Sequence, residues 1–367
     1  MISYDEIPLV PNLPKDILEA IEEDNLAIFI GAGVSRLAGC KGWNELADSL
    51  VNTCYNNELI NFKEKDILLN NPNQKKVITM TFEILKDNNL TESFYNKMEK
   101  SLKFNEESNL NQESIYLDLF KMRGLFVTTN ADELFHNMFE DENIKYKSNE
   151  LTPEGISRNN LYHIHGLISD RDSLVFKVSE YIDRYNSHKF LEFLKTIFSK
   201  YKVLFIGYGL AEFELLDFII TKFNQDGIRE LDHFTLQPYF KEELNIYNYE
   251  KKYFEDMGIN LIPYRKDLKG YEQLRDIIKK WNEEINEKTT SQIQTFRRLR
   301  EAANNPEQAN KVEIFQDIKN DKPYRKEFFK ALGETDKPLG WFLDLKRKGY
   351  FEADNIPKPV LSEKGNY

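Results

Sequence analysis

Cysteine is nearly absent: Cys40 and Cys54 are the only two in 367 residues. Two thiols cannot build a four-cysteine zinc site, and their scarcity suits a reducing cytoplasm. No apolar run approaches the ~20 residues that span a bilayer. The opening MISYDEIPLV lacks the basic region and apolar stretch of a signal peptide, so a cytoplasmic protein without a membrane anchor is expected. Positive charge is in deficit, with a formal net charge of −11. That argues against a nucleic-acid surface, which needs clustered Lys and Arg. No Gly-Lys-Ser/Thr follows any glycine run, which counts against a P-loop ATPase. Internal repeats are missing too.

What is present is enough apolar material, 41% of the chain, for a large packed core, with 26 Phe and 19 Tyr. The length suits one large α/β core with an appendage. Residues 26 to 36 read LAIFIGAGVSR, an apolar run stopped by Gly31 and Gly33. A buried strand ending in Gly-x-Gly lets backbone approach a phosphate, and a following helix can aim its N–H groups there. The dinucleotide fingerprint wants a third Gly where Arg36 stands. A plain strand-to-helix turn explains the same residues.

Similar strands recur at GLFVTTN ending on Asn130, LYHIHG from Leu161 to Gly166, and KVLFIGYG ending on Gly207 and Gly209. HFTLQPYF and INLIPY complete the set. Helical patterns separate most of them, among them WNELADSLVNTCYNN from Trp43, DELFHNMFE, HKFLEFLKTIFSKYK, FELLDFIITKFNQ, KEELNIYNYEKKYFEDMG and YEQLRDIIKKWNEEINE. Continuously apolar strands alternating with helices predict a Rossmann-like α/β fold, a mostly parallel sheet with helices on both faces. Residues from about 60 to 122 read as a helical insert. Beyond about Thr289 the chain turns polar, with short helices at VEIFQDIKN, YRKEFFKAL and GWFLDLKRKGYF. A catalytic domain over 1–288 and a helical extension over 289–367 are expected. The extension reads as the opening of a region that continues in a longer protein.

Ligands in such sheets sit beyond the carboxyl ends of the strands. Asn130 there offers an amide donor and acceptor. Asp132 is either an N-cap or a ligand contact. On a strand, His163 and His165 would share one face. A strand histidine is more often a hydrogen-bonded core residue than a catalyst. His165, last before Gly166, is the better candidate for a base, and His163 the structural one. A His-x-His metal pair lacks further ligands at telling spacing. Glu212 and Glu214 open a helix, where they could meet ribose hydroxyls or merely favour the helix dipole.

The ordered set GAGVS, TTNAD, HIHG and GYG resembles the sirtuin-like family over roughly residues 15 to 285. The missing zinc cysteines and the segment RLAGCKGWNEL are similar to the prokaryotic sirtuin-like proteins of antiphage defence, which hydrolyse NAD. That resemblance implies NAD as substrate, no zinc, and depletion of cellular NAD on a trigger. By position, Gly31, Ala32, Gly33, Ser35 and Arg36 would line the phosphate side. Asn130 and Asp132 would meet the nicotinamide ribose, with Asn130 and His165 catalytic. Gly207, Tyr208, Gly209 and Glu212 would serve the adenosine half. An NAD-dependent protein deacylase and a non-catalytic module sensing NAD or ADP-ribose remain alternatives. The resemblance also implies a homo-oligomer, and a partner ATPase, DNA translocase or phage-derived activator.

Overall fold

The computed structural model describes residues 7–103, 114–208, 233–304 and 311–333. The chain divides into two compact units, Met1–Asn282 and Glu283–Tyr367.

The first unit is built on a seven-stranded sheet in the order β3-β4-β2-β1-β5-β6-β7, parallel at every pairing. The strands are β1 (Leu26–Ile30), β2 (Leu125–Thr128), β3 (Ile144–Lys145), β4 (Leu161–His163), β5 (Lys202–Ile206), β6 (His233–Tyr239) and β7 (Ile259–Arg265). All five residues of β1 are buried. A central parallel strand is covered on both faces, so its sequence is a continuous apolar run instead of an alternation. One face packs Ala27, Phe29, Val203 and Phe205 against Phe190, Phe193 and Ile197. On the other, the ring of Phe126 lies against Phe120 and Phe135.

The helices of this unit are α1 (Lys15–Glu22), α2 (Ala32–Leu37), α3 (Trp43–Asn56), α4 (Phe62–Leu69), α5 (Gln74–Asp87), α6 (Thr91–Leu102), α7 (Ser114–Lys121), α8 (Val178–Asn186), α9 (His188–Lys200) and α10 (Leu244–Asp256). Helix α11 (Gln273–Asn304) begins here, burying Leu274, Ile277, Ile278 and Trp281. Helices α3 to α6 share an apolar cluster with Ala131, Ile168, Leu174 and Phe176, the loops beyond β2 and β4. These four helices therefore stand over the carboxyl end of the sheet. In the second unit, α12 (Lys311–Asn320) and α13 (Lys322–Gly333) bury Ile314, Phe315, Ile318, Phe328 and Phe329 with Leu299.

Several elements differ from the sequence reading. DELFHNMFE is no α-helix; it holds a single 3-10 turn, His136–Met138. Its apolar spacing serves a ring cluster, with Phe135 and Phe139 edge-on to Phe120 and Phe126. Strand β4 stops at His163, so His165 lies in the turn beyond it. The helical signal of YEQLRDIIKKWNEEINE continues without a break to Asn304. Strand β3 and helix α8 are additional elements. FELLDFIITKFNQ and GWFLDLKRKGYF lie outside the described residues.

Candidate functional site

The order of strands reverses between β2 and β5, on either side of β1. That switch point is where a doubly wound sheet opens a crevice. Gly31 ends β1, and its N–H donates to the Ile206 carbonyl at 2.9 Å. Gly33 N–H donates to the Gly207 carbonyl at 2.8 Å. A Cβ on Gly33 would stand 2.7 Å from that same oxygen. Gly207, at φ +70, has room only for hydrogen on its other side, because a Cβ would meet Val34 N at 2.7 Å. These two glycines thus exist to let the β1 and β5 loops touch. The N–H groups of Gly31 and Gly33 are spent inside the protein.

A cleft of 1080 Å³ opens at the same edge. Ala32, Gly33, Arg36, Lys75, Gly207 and Tyr208 are among its lining residues, with Gln237, Tyr239 and Lys266 from the β6 and β7 side. Of the residues singled out in the sequence, Gly209 and Glu212 lie outside the described residues. Ser35, Asn130, Asp132 and His165 are buried and do not appear in the lining of this cleft.

Ser35, Asn130 and Asp132 form one network that joins the loops after β1 and β2. Asn130 Nδ2 donates to the Gly31 carbonyl at 3.0 Å and to Ser35 Oγ at 2.7 Å. Ser35 Oγ donates to Asp132 Oδ2 at 2.6 Å, and the Tyr116 hydroxyl lies 3.0 Å from Ser35 Oγ. Asp132 Oδ1 accepts from the Leu134 N–H two residues on, the geometry of an Asx turn. Asp132 is therefore not the cap of an α-helix. Burial raises its pKa, opposed by its bonds to Ser35 and Leu134. Burial likewise raises the Tyr116 hydroxyl well above its usual range, followed by the Asp132 charge.

The two histidines have separate surroundings. His163 sits between the Asn130 carbonyl, 2.8 Å from Nδ1, and His136 Nε2, 3.1 Å from Nε2. Both of its ring nitrogens are occupied, so it is a structural link between β2 and β4. His165 is 5% exposed. Its Nε2 lies 3.0 Å from the Tyr185 hydroxyl. The Tyr181 ring stands edge-on to it at 5.0 Å. Its Nδ1 is buried without a hydrogen-bond partner of ordinary geometry. Burial lowers the His165 pKa to about 3, helped by the charges of Lys75 and Arg184 and opposed by the Thr129 backbone. At neutral pH this imidazole is therefore uncharged, with one N–H and one bare ring nitrogen.

Helix α8 supplies the residues that sequence reading missed. Tyr181, Arg184 and Tyr185 are one turn apart and so lie on one face. Glu180 caps the helix by accepting from the Phe176 and Lys177 N–H groups at 2.9 and 2.8 Å. The i,i+4 tyrosine pair was the available signal. Among the described residues, no group of three or more His, Cys, Asp or Glu side chains is placed to hold a metal ion. Cys40 and Cys54 are buried thiols, both with pKa values raised chiefly by burial.

Asn130 and His165 thus lie beyond the adjacent parallel strands β2 and β4. Residues 124–262 match the SIR2-like domain family, a span that runs from β2 into β7. The NAD(+) hydrolase ThsA of Cytobacillus dafuensis is 26% identical over 278 residues, covering 70% of this chain and 49% of the relative. The chain thus spans about half the length of the curated relative it matches.

Proposed function

We propose that this protein hydrolyses NAD at the bond between nicotinamide and ribose, releasing nicotinamide, ADP-ribose and a proton, and that it does so in antiphage defence. The observation that carries the reading is the placement of Asn130 and His165 beyond adjacent parallel strands, in a chain that matches the SIR2-like domain family over residues 124–262 and is similar to an NAD(+) hydrolase.

The chemistry asks for little base strength. Nicotinamide leaves with the bonding electron pair and becomes neutral, and the ribose passes through an oxocarbenium-like state. Water then forms the new bond to C1′, and His165 takes its proton. An uncharged imidazole has a bare ring nitrogen free to take that proton, a role worth about 10²–10⁴-fold in rate. Asn130 contributes by fixing the β1 and β2 loops through its amide. Because the Gly31 and Gly33 N–H groups are occupied, Arg36, Lys75 and Lys266 on the cleft walls are better suited to offset the phosphates. His165 is buried and outside the lining of the cleft, so catalysis requires the cleft to open toward it.

The test is to incubate the purified chain with NAD and no peptide, and to follow nicotinamide and ADP-ribose. His165→Asn is expected to lower turnover by about 10²-fold or more, with thermal unfolding confirming that it remains folded. Near-normal nicotinamide release by a folded His165→Asn variant overturns the assignment. A wild-type chain that binds NAD but forms no product over hours overturns the hydrolase reading.

A further inference from the structure

Lys75 stands on two surfaces at once. It lines the cleft beside Asn73 and Gln74, at the start of α5. Its Nζ also lies 4.6 Å from the centre of the Tyr181 ring. Tyr181 in turn meets the His165 imidazole edge-on at 5.0 Å. A chain of contacts therefore joins the cleft to a histidine outside its lining. The Lys75 charge reaches the same imidazole, adding to the effect of burial in keeping it unprotonated.

The two helices that carry this contact are pinned nearby. Thr79 Oγ1, one turn along α5, donates to the Lys75 carbonyl at 2.8 Å and accepts from the Val178 N–H at 3.1 Å. Lys177 Nζ, just before α8, lies 4.0 Å from the centre of the Phe82 ring. The start of α8 is thus held against α5, and Tyr181 lies one turn further on. Lys75 meets Tyr181 through a cation–π contact, which is weaker than the charge-assisted hydrogen bonds that an ammonium makes to phosphate. A four-carbon stem lets that ammonium turn from the ring to the cleft without moving the backbone. A ligand shifts an equilibrium only as far as it binds one state better. Phosphate oxygens in the cleft meet that condition, because they compete with the ring for one cation.

We propose that Lys75 is a positioning residue that latches the Tyr181 ring against His165 while the cleft is empty, and that it exchanges the ring for the phosphates of a bound dinucleotide, opening the path to His165. This rests on the reading of His165 as the base for NAD hydrolysis. The latch makes the enclosure of His165 conditional: a riboside without phosphates leaves it shut.

Accessibility of His165 tests the latch without turnover. The probe is diethyl pyrocarbonate, which acylates uncharged imidazoles, read by mass spectrometry of peptides. The ligand is saturating ADP, which carries two phosphates and no nicotinamide ribose. ADP is expected to speed labelling of His165 by about twofold to thirtyfold, the span that loss of a cation–π contact corresponds to. Lys75→Met keeps an unbranched stem and removes the charge. Its labelling without ADP should already be raised, and ADP should add nothing. Lys75→Arg should restore the wild-type pattern, since a guanidinium also binds ring faces and phosphate. His163 and His233, also buried, should label at unchanged rates throughout. For NAD turnover, Lys75→Met should raise KM about tenfold and keep kcat within about threefold. The inference is overturned by wild-type labelling that ADP leaves unchanged, by unliganded Lys75→Met labelling like wild type, by Lys75→Arg behaving as Lys75→Met, or by a parallel rise at His163 and His233. A fall in kcat instead of a rise in KM overturns it as well. If the wild-type chain lacks NAD hydrolysis, the functional reading fails, while the labelling still decides whether Lys75 holds Tyr181 closed.

Discussion

At Gly166, φ is +77, and a Cβ would lie 2.1 Å from the Ser173 carbonyl oxygen. The same carbonyl accepts from Arg184, so the turn after His165 is pressed against the residue that anchors α8. Gly258 has nearly the same angle, φ +76, and nothing within 4 Å of its missing Cβ. Comparing the two separates backbone strain from collision. Gly258→Ala is expected to cost about 1–2 kcal/mol, the left-handed penalty alone. Gly166→Ala should cost about 2–5 kcal/mol, because crowding adds to it. Urea unfolding of both variants measures the difference, and equal losses would remove the packing explanation. In the sequence, Gly166 reads as the end of a strand and Gly33 as a phosphate turn. Neither reading could foresee the Ser173 or Gly207 oxygen opposite, since each partner comes from another loop.

Elements at the carboxyl edge are held together mainly by side chains buried between loops. The Ser35 hydroxyl is the joint of the β1 and β2 loops, with bonds to Asn130 Nδ2 and Asp132 Oδ2. Ser35→Ala leaves a buried carboxylate oxygen and a buried amide N–H each short of one partner. A loss of about 1–3 kcal/mol is expected. A double-mutant cycle with Asp132→Asn should show coupling of about 0.5–3 kcal/mol. Strict additivity of the two unfolding energies would dissolve the network. The same geometry means that Asn130→Ala disturbs folding as well as chemistry, so His165 is the cleaner probe. Apolar strands such as β1 and β5 were legible because burial on both faces leaves an unbroken hydrophobic run. Strand β3, with two residues, carries no such run. DELFHNMFE misled because its periodic phenylalanines satisfy an aromatic cluster as well as they would a helix face.

Across the whole molecule, three imidazoles are buried in the neutral form. Burial lowers His163 and His165 to about 3 and His233 to about 4. The His233 Nδ1 accepts from the Val203 N–H at 3.2 Å, which requires an unprotonated nitrogen. Unfolded, each ring takes up a proton near pH 6.5; folded, it does not until pH 3 to 4. Stability is therefore full above the unfolded value and falls as pH drops below it. At pH 5 the cost is about 2 kcal/mol per ring. Asp132, whose pKa is raised, acts in the opposite sense. The melting temperature is expected to fall between pH 7 and pH 5, and His233→Gln to make the fall shallower by about a third. A melting temperature that holds constant over that interval would show that the rings are not buried neutral.

The amino-acid sequence by itself determined the α/β class, the strand-end placement of Asn130 and His165, and the want of cysteines for a zinc module. It could do so because period, glycine punctuation and residue chemistry are local properties. Only the tertiary structure decided the strand order, the mutual fit of Gly33 and Gly207, and the enclosure of His165 by Tyr181, Arg184 and Tyr185. Those depend on which distant segments share a volume, and close packing and the satisfaction of buried polar atoms are settled only where the segments meet.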